Sequence, residues 1–283
     1  MFIKVENVTH IYKQGDKHKA LDKVNLSIQD NEFIGLIGHT GSGKSTLVQL
    51  LNGLIKPTTG SVVVDGQDIT KEKINLKEIR RKIGLVFQYP EHQLFEETVY
   101  DDIAFGPRNL GLSNKEIQER VEEAMKLVGL DFAAFKTRSP FNLSGGQQRK
   151  VAFAGVLAMK PQALILDEPS AGLDPQGREQ LINLLNHLYN QYDMTIILIS
   201  HRMEEIARLS SRVLVMNQGR IALDGSPQEV FGQVEKIRRL ALDLPEITEI
   251  LWRLKQKGKG VRTNIFTMSE AISEISREMR GIS

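Results

Sequence analysis

The chain has 283 residues, enough for one large or two modest domains around a well-buried core. Lys and Arg nearly balance Asp and Glu, for a net charge of +2, so composition points away from nucleic acid or another polyanionic partner. Cysteine is absent, which excludes a disulfide framework and a thiolate metal site and fits the cytoplasm. Met1 to Glu6 show no signal-peptide apolar region, and the longest apolar run, Val151–Met159, falls far short of the roughly 20 residues that cross a bilayer. The expectation is that the chain is no channel or carrier by itself. The sequons at Asn7, Asn25 and Asn142 carry no meaning without an export signal.

Residues 2–8 and 24–29 read as strands, with a polar turn around Gln14–Lys19 between them and Tyr12 on the approach to it. Phe33–Ile37 is an apolar run of strand type. It leads into Gly38-His39-Thr40-Gly41-Ser42-Gly43-Lys44-Ser45-Thr46, which fits the P-loop pattern, and then into Leu47, Leu50, Leu51 and Leu54 at helical spacing. Strand, glycine loop and helix start form a phosphate cradle. Glycines let backbone N–H groups approach phosphate oxygens, and the helix adds its positive end. Residues Gly38 to Thr46 are therefore expected to bind a nucleotide, with Lys44 reaching the β- and γ-phosphates and the Ser45 hydroxyl binding Mg²⁺.

Val62–Val64 reads as another strand, ended by the Asp65-Gly66 turn, and these early strands are expected to pair antiparallel. Ile83–Phe87, Leu164–Leu166, Thr195–Ile199 and Val213–Met216 are short, continuously apolar and separated by helical segments. That is the pattern of parallel strands buried on both faces. From about Leu94 to Met159 no strand stands out. Ser113 and Glu116 form a capping box before Ile117, Val121, Ala124, Met125 and Val128, so this stretch reads as an inserted helical subdomain. Beyond Ser226 the phosphate-type motifs stop. Ile247, Ile250, Leu251 and Leu254 recur at helical spacing after Pro245. Lys255–Gly260 is a charged link, and a second capping box, Thr267 with Glu270, precedes Ile272, Ile275 and Met279. This tail either packs on its own domain or meets another copy, and the sequence leaves both open.

Leu164-Ile165-Leu166-Asp167-Glu168 is an apolar strand ending in two carboxylates. Ligands of open parallel sheets sit at the carboxyl ends of strands, so Asp167 is expected to meet Mg²⁺ through a water and Glu168 to hold the attacking water. His201 follows another buried strand at the same edge. Leu143-Ser144-Gly145-Gly146-Gln147 lies between the P-loop and these carboxylates, where Ser144 and the two glycine amides open a helix able to receive a γ-phosphate.

With that third motif the chain resembles the ABC ATPases over about residues 2–225, the order of motifs matching throughout. The resemblance implies an α/β fold of the P-loop NTPase type: a RecA-like parallel core sheet, an N-terminal antiparallel β subdomain, and a helical subdomain at about 94–159. A cassette of residues 1–228 is then followed by a helical extension, 229–283. It implies ATP and Mg²⁺ as ligands, and a head-to-tail dimer in which Ser144, Gly145, Gly146 and Gln147 cap the ATP of the opposite subunit. By the same resemblance Tyr12 stacks on adenine, and Gln88 touches Mg²⁺ or the water and senses the membrane partner. Ser170 to Asp174 run along the dimer interface, and His201 donates to the γ-phosphate. Lys44, Glu168, His201 and Gln88 are the catalytic set implied, with Ser45, Gln88 and Asp167 toward the metal.

Gln88-Tyr89-Pro90-Glu91-His92-Gln93-Leu94-Phe95, Thr98-Val99 and Asp102 to Pro107 are similar to the ATPases of energy-coupling-factor importers and cobalt importers. Ala154–Met159 and Glu168–Pro175 are closest to the second type of A subunit in that group. The implied partners are a second A subunit, identical or different, a membrane coupling T subunit and a substrate-binding S subunit, with the chain on the cytoplasmic face of the cell membrane. Leu94 and Phe95 read either as the floor of a groove for the T subunit or as packing under the helical subdomain. A non-transport ABC ATPase would usually carry a coiled-coil insert or a second cassette, and a regulator without hydrolysis tends to lose the carboxylate or signature residues. Neither departure is present.

Overall fold

The computed structural model describes residues 2–12, 19–72 and 74–280, so the turn expected around Gln14–Lys19 lies outside the described residues except for Lys19. In chain order the elements begin with β1 (Ile3–Ile11), β2 (Lys19–Ile28), β3 (Phe33–Ile37), α1 (Lys44–Leu51), β4 (Thr59–Val64), β5 (Gln67–Asp68), α2 (Leu76–Lys82) and β6 (Ile83–Val86). The helical stretch follows as α3 (Val99–Asn109), α4 (Asn114–Leu127), α5 (Phe132–Phe135) and α6 (Gly145–Leu157). Then come β7 (Ala163–Asp167), α7 (Pro175–Tyr192), β8 (Thr195–Ile199), α8 (Met203–Leu209), β9 (Arg212–Asn217) and β10 (Arg220–Gly225). The tail holds α9 (Pro227–Phe231), α10 (Val234–Arg239), α11 (Glu246–Gln256) and α12 (Met268–Arg280).

The early strands form one antiparallel sheet in the order β2-β1-β4-β5, as their short spacing requires. In β1, Ile3, Val5 and Val8 are buried while Lys4 and Glu6 face water. Asn7, at φ 49°, sits where the register shifts between Val5 and Val8. The second sheet runs β10-β9-β3-β8-β7-β6, parallel throughout except for β10. Its strands feed two apolar cores alternately. Phe33 and Ile37, Leu164 and Leu166, Ile196 and Leu198, Val213 and Val215 join the helical side. Ile34 and Leu36, Ala163 and Ile165, Ile197 and Ile199, Leu214 and Met216 join the antiparallel sheet and α1. Continuous apolar runs are what two buried faces demand.

Residues 220–225 form a strand that lies outside the apolar runs described above. β10 arises from a tight hairpin in which Gln218 (φ 48°) and Gly219 (φ 75°) both take left-handed backbone, a turn usually signalled by Asn-Gly rather than Gln-Gly. The inserted stretch is helical as expected. Ser113 Oγ accepts from Glu116 N at 3.3 Å, and Glu116 accepts from Ser113 N at 3.1 Å, closing the capping box. Thr267 and Glu270 make only half of theirs: Glu270 N donates to Thr267 Oγ1 at 3.4 Å and the hydroxyl donates to the carboxylate at 2.5 Å.

The tail leans on the cassette. Val230, Phe231, Val234, Ile237, Leu242 and Leu244 belong to the large core. Glu246 N donates to Glu204 of the cassette at 2.9 Å, while within the tail Phe266 meets the Phe231 ring edge-on at 5.9 Å and Arg238 lies 3.9 Å over Trp252. Leu251, Val261, Ile265 and Ala271 make a small core of their own, beside the buried Glu274, which accepts from Arg262 N at 2.8 Å and Arg277 at 2.5 Å. Packing on its own domain is thus observed, while Ile250, Met268, Ile272 and Met279 stay exposed. Phe231 is fully buried, so Phe231→Ala is expected to cost about 3–5 kcal/mol. Chemical denaturation of the full chain would read this, and a loss below about 1 kcal/mol would show that the first turns of the tail contribute nothing to the cassette core.

Candidate active site

β3 runs into the glycine loop, whose fold is set by backbone bonds: Ser42 N to His39 O at 3.1 Å and Leu47 N to Gly43 O at 2.9 Å. Gly43 stands at φ 106° before α1, and a Cβ there would lie 2.5 Å from Ala20 O, so only glycine lets the loop touch β2. The β9–β10 turn staples it further. Gly219 N donates to Ser42 O at 3.0 Å, and Asp22 N donates to Gly219 O at 2.9 Å. The His39 ring lies 3.0 Å from Asn217 Oδ1 and 2.7 Å from Thr40 O. The Ser42 hydroxyl is buried with no hydrogen-bond partner among the described residues.

Lys44 is buried, and its ammonium turns back on the loop, donating to Gly38 O at 2.6 Å and His39 O at 3.1 Å. Burial lowers its pKa, against the opposing pull of Glu168 and Asp167. Next to it, Ser45 Oγ donates to Asp167 Oδ2 at 3.3 Å. Burial raises the Asp167 pKa, opposed by the Ser45 hydrogen bond and by the charges of Lys44 and His201. Tyr12 flanks the loop, with its hydroxyl 3.3 Å from Thr46 Oγ1 and its ring nearly half exposed.

Glu168 takes left-handed backbone at φ 52°, held by its N–H to Ile199 O at 3.0 Å. One carboxylate oxygen accepts from His201 N at 3.4 Å. The other is buried without a hydrogen bond among the described residues, with His201 Nε2 3.4 Å away. Burial raises the Glu168 pKa, against the pull of His201. Gln88, which is exposed, follows β6; the pairing of Val86 with Leu166 sets Phe87 and Gln88 level with Asp167 and Glu168. The structure therefore brings Lys44, Ser45, Asp167, Glu168 and His201 together, with Gln88 and Tyr12 at the rim.

It does not bring residues 144–147 to them: among the described residues no hydrogen bond or ion pair joins 143–147 to the glycine loop. Ser144 caps α6, accepting from Gln147 N at 3.4 Å, and Gln147 Oε1 accepts from Ser144 N at 3.1 Å. Gln147, expected at the nucleotide, thus spends its side-chain oxygen on its own helix cap. Gly145 and Gly146 are exposed, and a Cβ on either would meet no atom within 4 Å.

Two groups escaped the sequence reading. Arg149, on the buried face of α6, grips Glu91 through Nε at 3.0 Å and Nη2 at 2.8 Å, and its Nη1 donates to Ala171 O at 2.7 Å. Glu205 in α8 is buried beside Ser170 and Ser200. A charge among apolar helix positions was the only signal either gave. Of the Leu94–Phe95 pair, Leu94 is buried in the large core, while Phe95 is exposed and meets Phe105 edge-on at 4.9 Å.

A glycine cradle with a buried lysine, a hydroxyl–carboxylate pair, and a second carboxylate beside a histidine, all at the carboxyl edge of one parallel sheet, define a P-loop nucleotide-hydrolysing cassette. The family model described as ABC transporter matches residues 21–171. The energy-coupling factor transporter ATP-binding protein EcfA2 of Clostridium tetani is 54% identical over 277 residues, covering 97% of this chain and 96% of that protein. Its counterpart of the same name in Clostridium perfringens is 53% identical over 282 residues, covering 98% and 99%. Among solved structures, cbiO1 from Clostridium perfringens, part of the ABC transporter complex cbiONQ, superposes with a TM-score of 0.73 at 40% identity, covering 87% of this chain and 96% of that one. The dimeric ATP-binding cassette MJ0796, in a post-hydrolysis state with ADP and phosphate, gives a TM-score of 0.71 at 31% identity, covering 80% and 98%. The chain belongs to the ABC transporter ATPases, in their energy-coupling-factor branch, and it is an ATP-hydrolysing enzyme.

Since open space surrounds Gly146, Gly146→Ala is expected to leave folding stability within about 1 kcal/mol of the parent. ATP turnover of the same variant should fall by about tenfold or more, because a methyl group at the second residue of α6 stands where an incoming phosphate would approach the helix start. Unchanged turnover would remove residues 144–147 from the reaction.

Proposed function

We propose that this chain is one of two ATPase subunits of an energy-coupling-factor importer, working at the cytoplasmic face of the cell membrane with a T subunit and a substrate-binding S subunit. The observation that carries the reading is the start of α6. Ser144, Gly145 and Gly146 open a capped, exposed helix end that no group among the described residues covers, and the phosphate of a second cassette's ATP matches it in charge. The dimeric state of MJ0796 and the membership of cbiO1 in a transporter complex support it.

In this reading Tyr12 offers its ring to adenine, and the backbone from Gly38 to Thr46 cradles the phosphates. Lys44 leaves the carbonyls of Gly38 and His39 for the β- and γ-phosphates. Mg²⁺ fits here. Ser45 and Asp167 already set two oxygen donors 3.3 Å apart, and no cluster of three or more His, Asp or Glu exists among the described residues to suit a fully protein-bound ion. Ser45 and Asp167, with Gln88 alongside, would hold it, and it would offset phosphate charge. The unpaired oxygen of Glu168 is positioned to accept a hydrogen bond from water and turn it toward the γ-phosphorus, while His201 donates to the γ-phosphate.

Coupling to the membrane falls to the segment after Gln88. Asp102 accepts from Phe95 N and Glu96 N, both at 3.0 Å, which fixes the turn and leaves the Phe95 and Phe105 rings facing outward for helices of the T subunit.

Glu168→Gln is expected to bind ATP and collect as a stable ATP-bound dimer while turnover drops by about 100-fold or more. Phosphate release and size-exclusion chromatography with ATP read both, and near-parental hydrolysis would take the water-holding role from Glu168. Phe95→Ala, and charge reversal of Glu96 or Glu97, should depress substrate uptake by cells and spare ATP turnover of the purified chain. Normal uptake in all three would mean that the membrane partner docks elsewhere.

A further inference from the structure

Glu205 is a buried carboxylate that the chemistry above does not use. It lies in the first turn of α8 and is 6% exposed. One of its oxygens accepts two hydrogen bonds, from Ser170 Oγ at 2.9 Å and from Ser200 Oγ at 3.1 Å. The other makes no hydrogen bond among the described residues and faces the guanidinium groups of Arg178, with Nε at 3.6 Å, and Arg202, with Nε at 3.8 Å. Both serines are themselves buried. Taking such a group out of water is costly, and an apolar side chain of similar size would avoid the cost, so its presence calls for a task.

The position of the two hydroxyls indicates the task. Ser170 is two residues past Glu168, and Ser200 immediately precedes His201. Ser200 Oγ also accepts from Arg202 N at 3.0 Å, which fixes the peptide on the far side of His201. Ala171 N donates to Glu168 O at 3.1 Å, which ties Ser170 to the backbone of Glu168 through one short turn. The direct link between the two reacting side chains is loose, at 3.4 Å between Glu168 Oε1 and His201 Nε2, and it involves groups that must turn toward water and phosphate. The path Ser170–Glu205–Ser200 joins the same two loops from behind with shorter bonds between buried groups.

We propose that Glu205 is a positioning residue of the ATPase reaction, its carboxylate bridging Ser170 and Ser200 so that Glu168 and His201 hold one spacing. The bridge also has an anchored far side. Arg149 Nη1 donates to Ala171 O at 2.7 Å, so residues 170–171 are held by α6 on one flank and by α8 on the other.

The test measures steady-state ATP turnover, ATP affinity and melting temperature of the full chain in five variants. Ser170→Ala and Ser200→Ala each open the bridge, and each should lower kcat by about tenfold, with KM for ATP within about twofold. The double variant should be no worse than either single one, because a bridge broken once is already broken. Glu205→Ala should match them. Glu205→Gln should keep most of the turnover, since its amide oxygen can accept both hydroxyls. Serine losses that multiply in the double variant, or that follow melting temperature, would overturn the bridge. So would a rise in KM at constant kcat, or a Glu205→Gln loss equal to that of Glu205→Ala. If Glu205→Ala does not fold, the two serine variants, which remove one hydroxyl each, and their double, which removes both, decide the matter alone.

Discussion

Four loops act as one site because the parallel strands that carry them end level. Leu36 of β3 and Asp167 of β7 both pair with Ile199 of β8, and Val86 of β6 pairs with Leu166 of β7. The glycine loop, Gln88, the two carboxylates and His201 therefore leave the sheet at one height. A slip of one residue in β7 would exchange the faces of all its side chains. Polarity cannot prevent such a slip where both faces are apolar, so shape has to. In β3, Gly35 supplies such a check: a side-chain carbon there would lie 2.5 Å from Ile206 of α8, and a one-residue slip of β3 would bring Ile34 or Leu36 to that contact.

Burial makes the site's charges uncomfortable in the absence of ligands. Burial drives the Lys44 ammonium toward its neutral form and the Asp167 and Glu168 carboxyls toward theirs; Lys44 restrains both carboxyls, while Asp167 pushes Glu168 further the same way. Glu168 adds backbone strain of about 1–3 kcal/mol for its left-handed conformation. A buried lysine turned onto its own loop, a carboxylate oxygen that no hydrogen bond satisfies among the described residues and a left-handed backbone concentrate this cost at one edge of the sheet. The stability held in the two apolar cores tolerates that local cost.

Much of this was legible in residue order. Apolar runs of strand length ending in Gly38, Gln88, Asp167 and His201 gave the sheet and its working edge, because two-sided burial leaves no other pattern. The capping box at Ser113 was readable because its partners are three residues apart. What escaped was either unusual local chemistry or long-range pairing. The Gln218-Gly219 hairpin lacks the common turn dipeptide. Glu91 and Arg149 meet across 58 residues and Ser170 and Glu205 across 35, and no periodicity connects them. The Gln147 side chain is a different lesson. The motif pointed it at nucleotide, yet three residues from Ser144 it also satisfies a capping box, and in the chain alone the local bond wins.

The same α6 explains why Arg149 is worth a buried charge. Its guanidinium binds Glu91, in the turn that follows Gln88, and the carbonyl of Ala171, beside Glu168. A bidentate arginine resists rotation in a way that an apolar contact does not, so α6 is fixed in angle as well as in place. Because a helix is stiff along its axis, a fixed angle at Arg149 sets where the Ser144–Gly146 end points. A displacement of the turn holding Glu91, next to the outward-facing Phe95, would therefore be felt both at that exposed end and at the carbonyls behind Glu168. The turn that carries Glu91, the start of α6 and the carbonyls behind Glu168 are thus joined by one stiff piece rather than by a sequence of soft contacts.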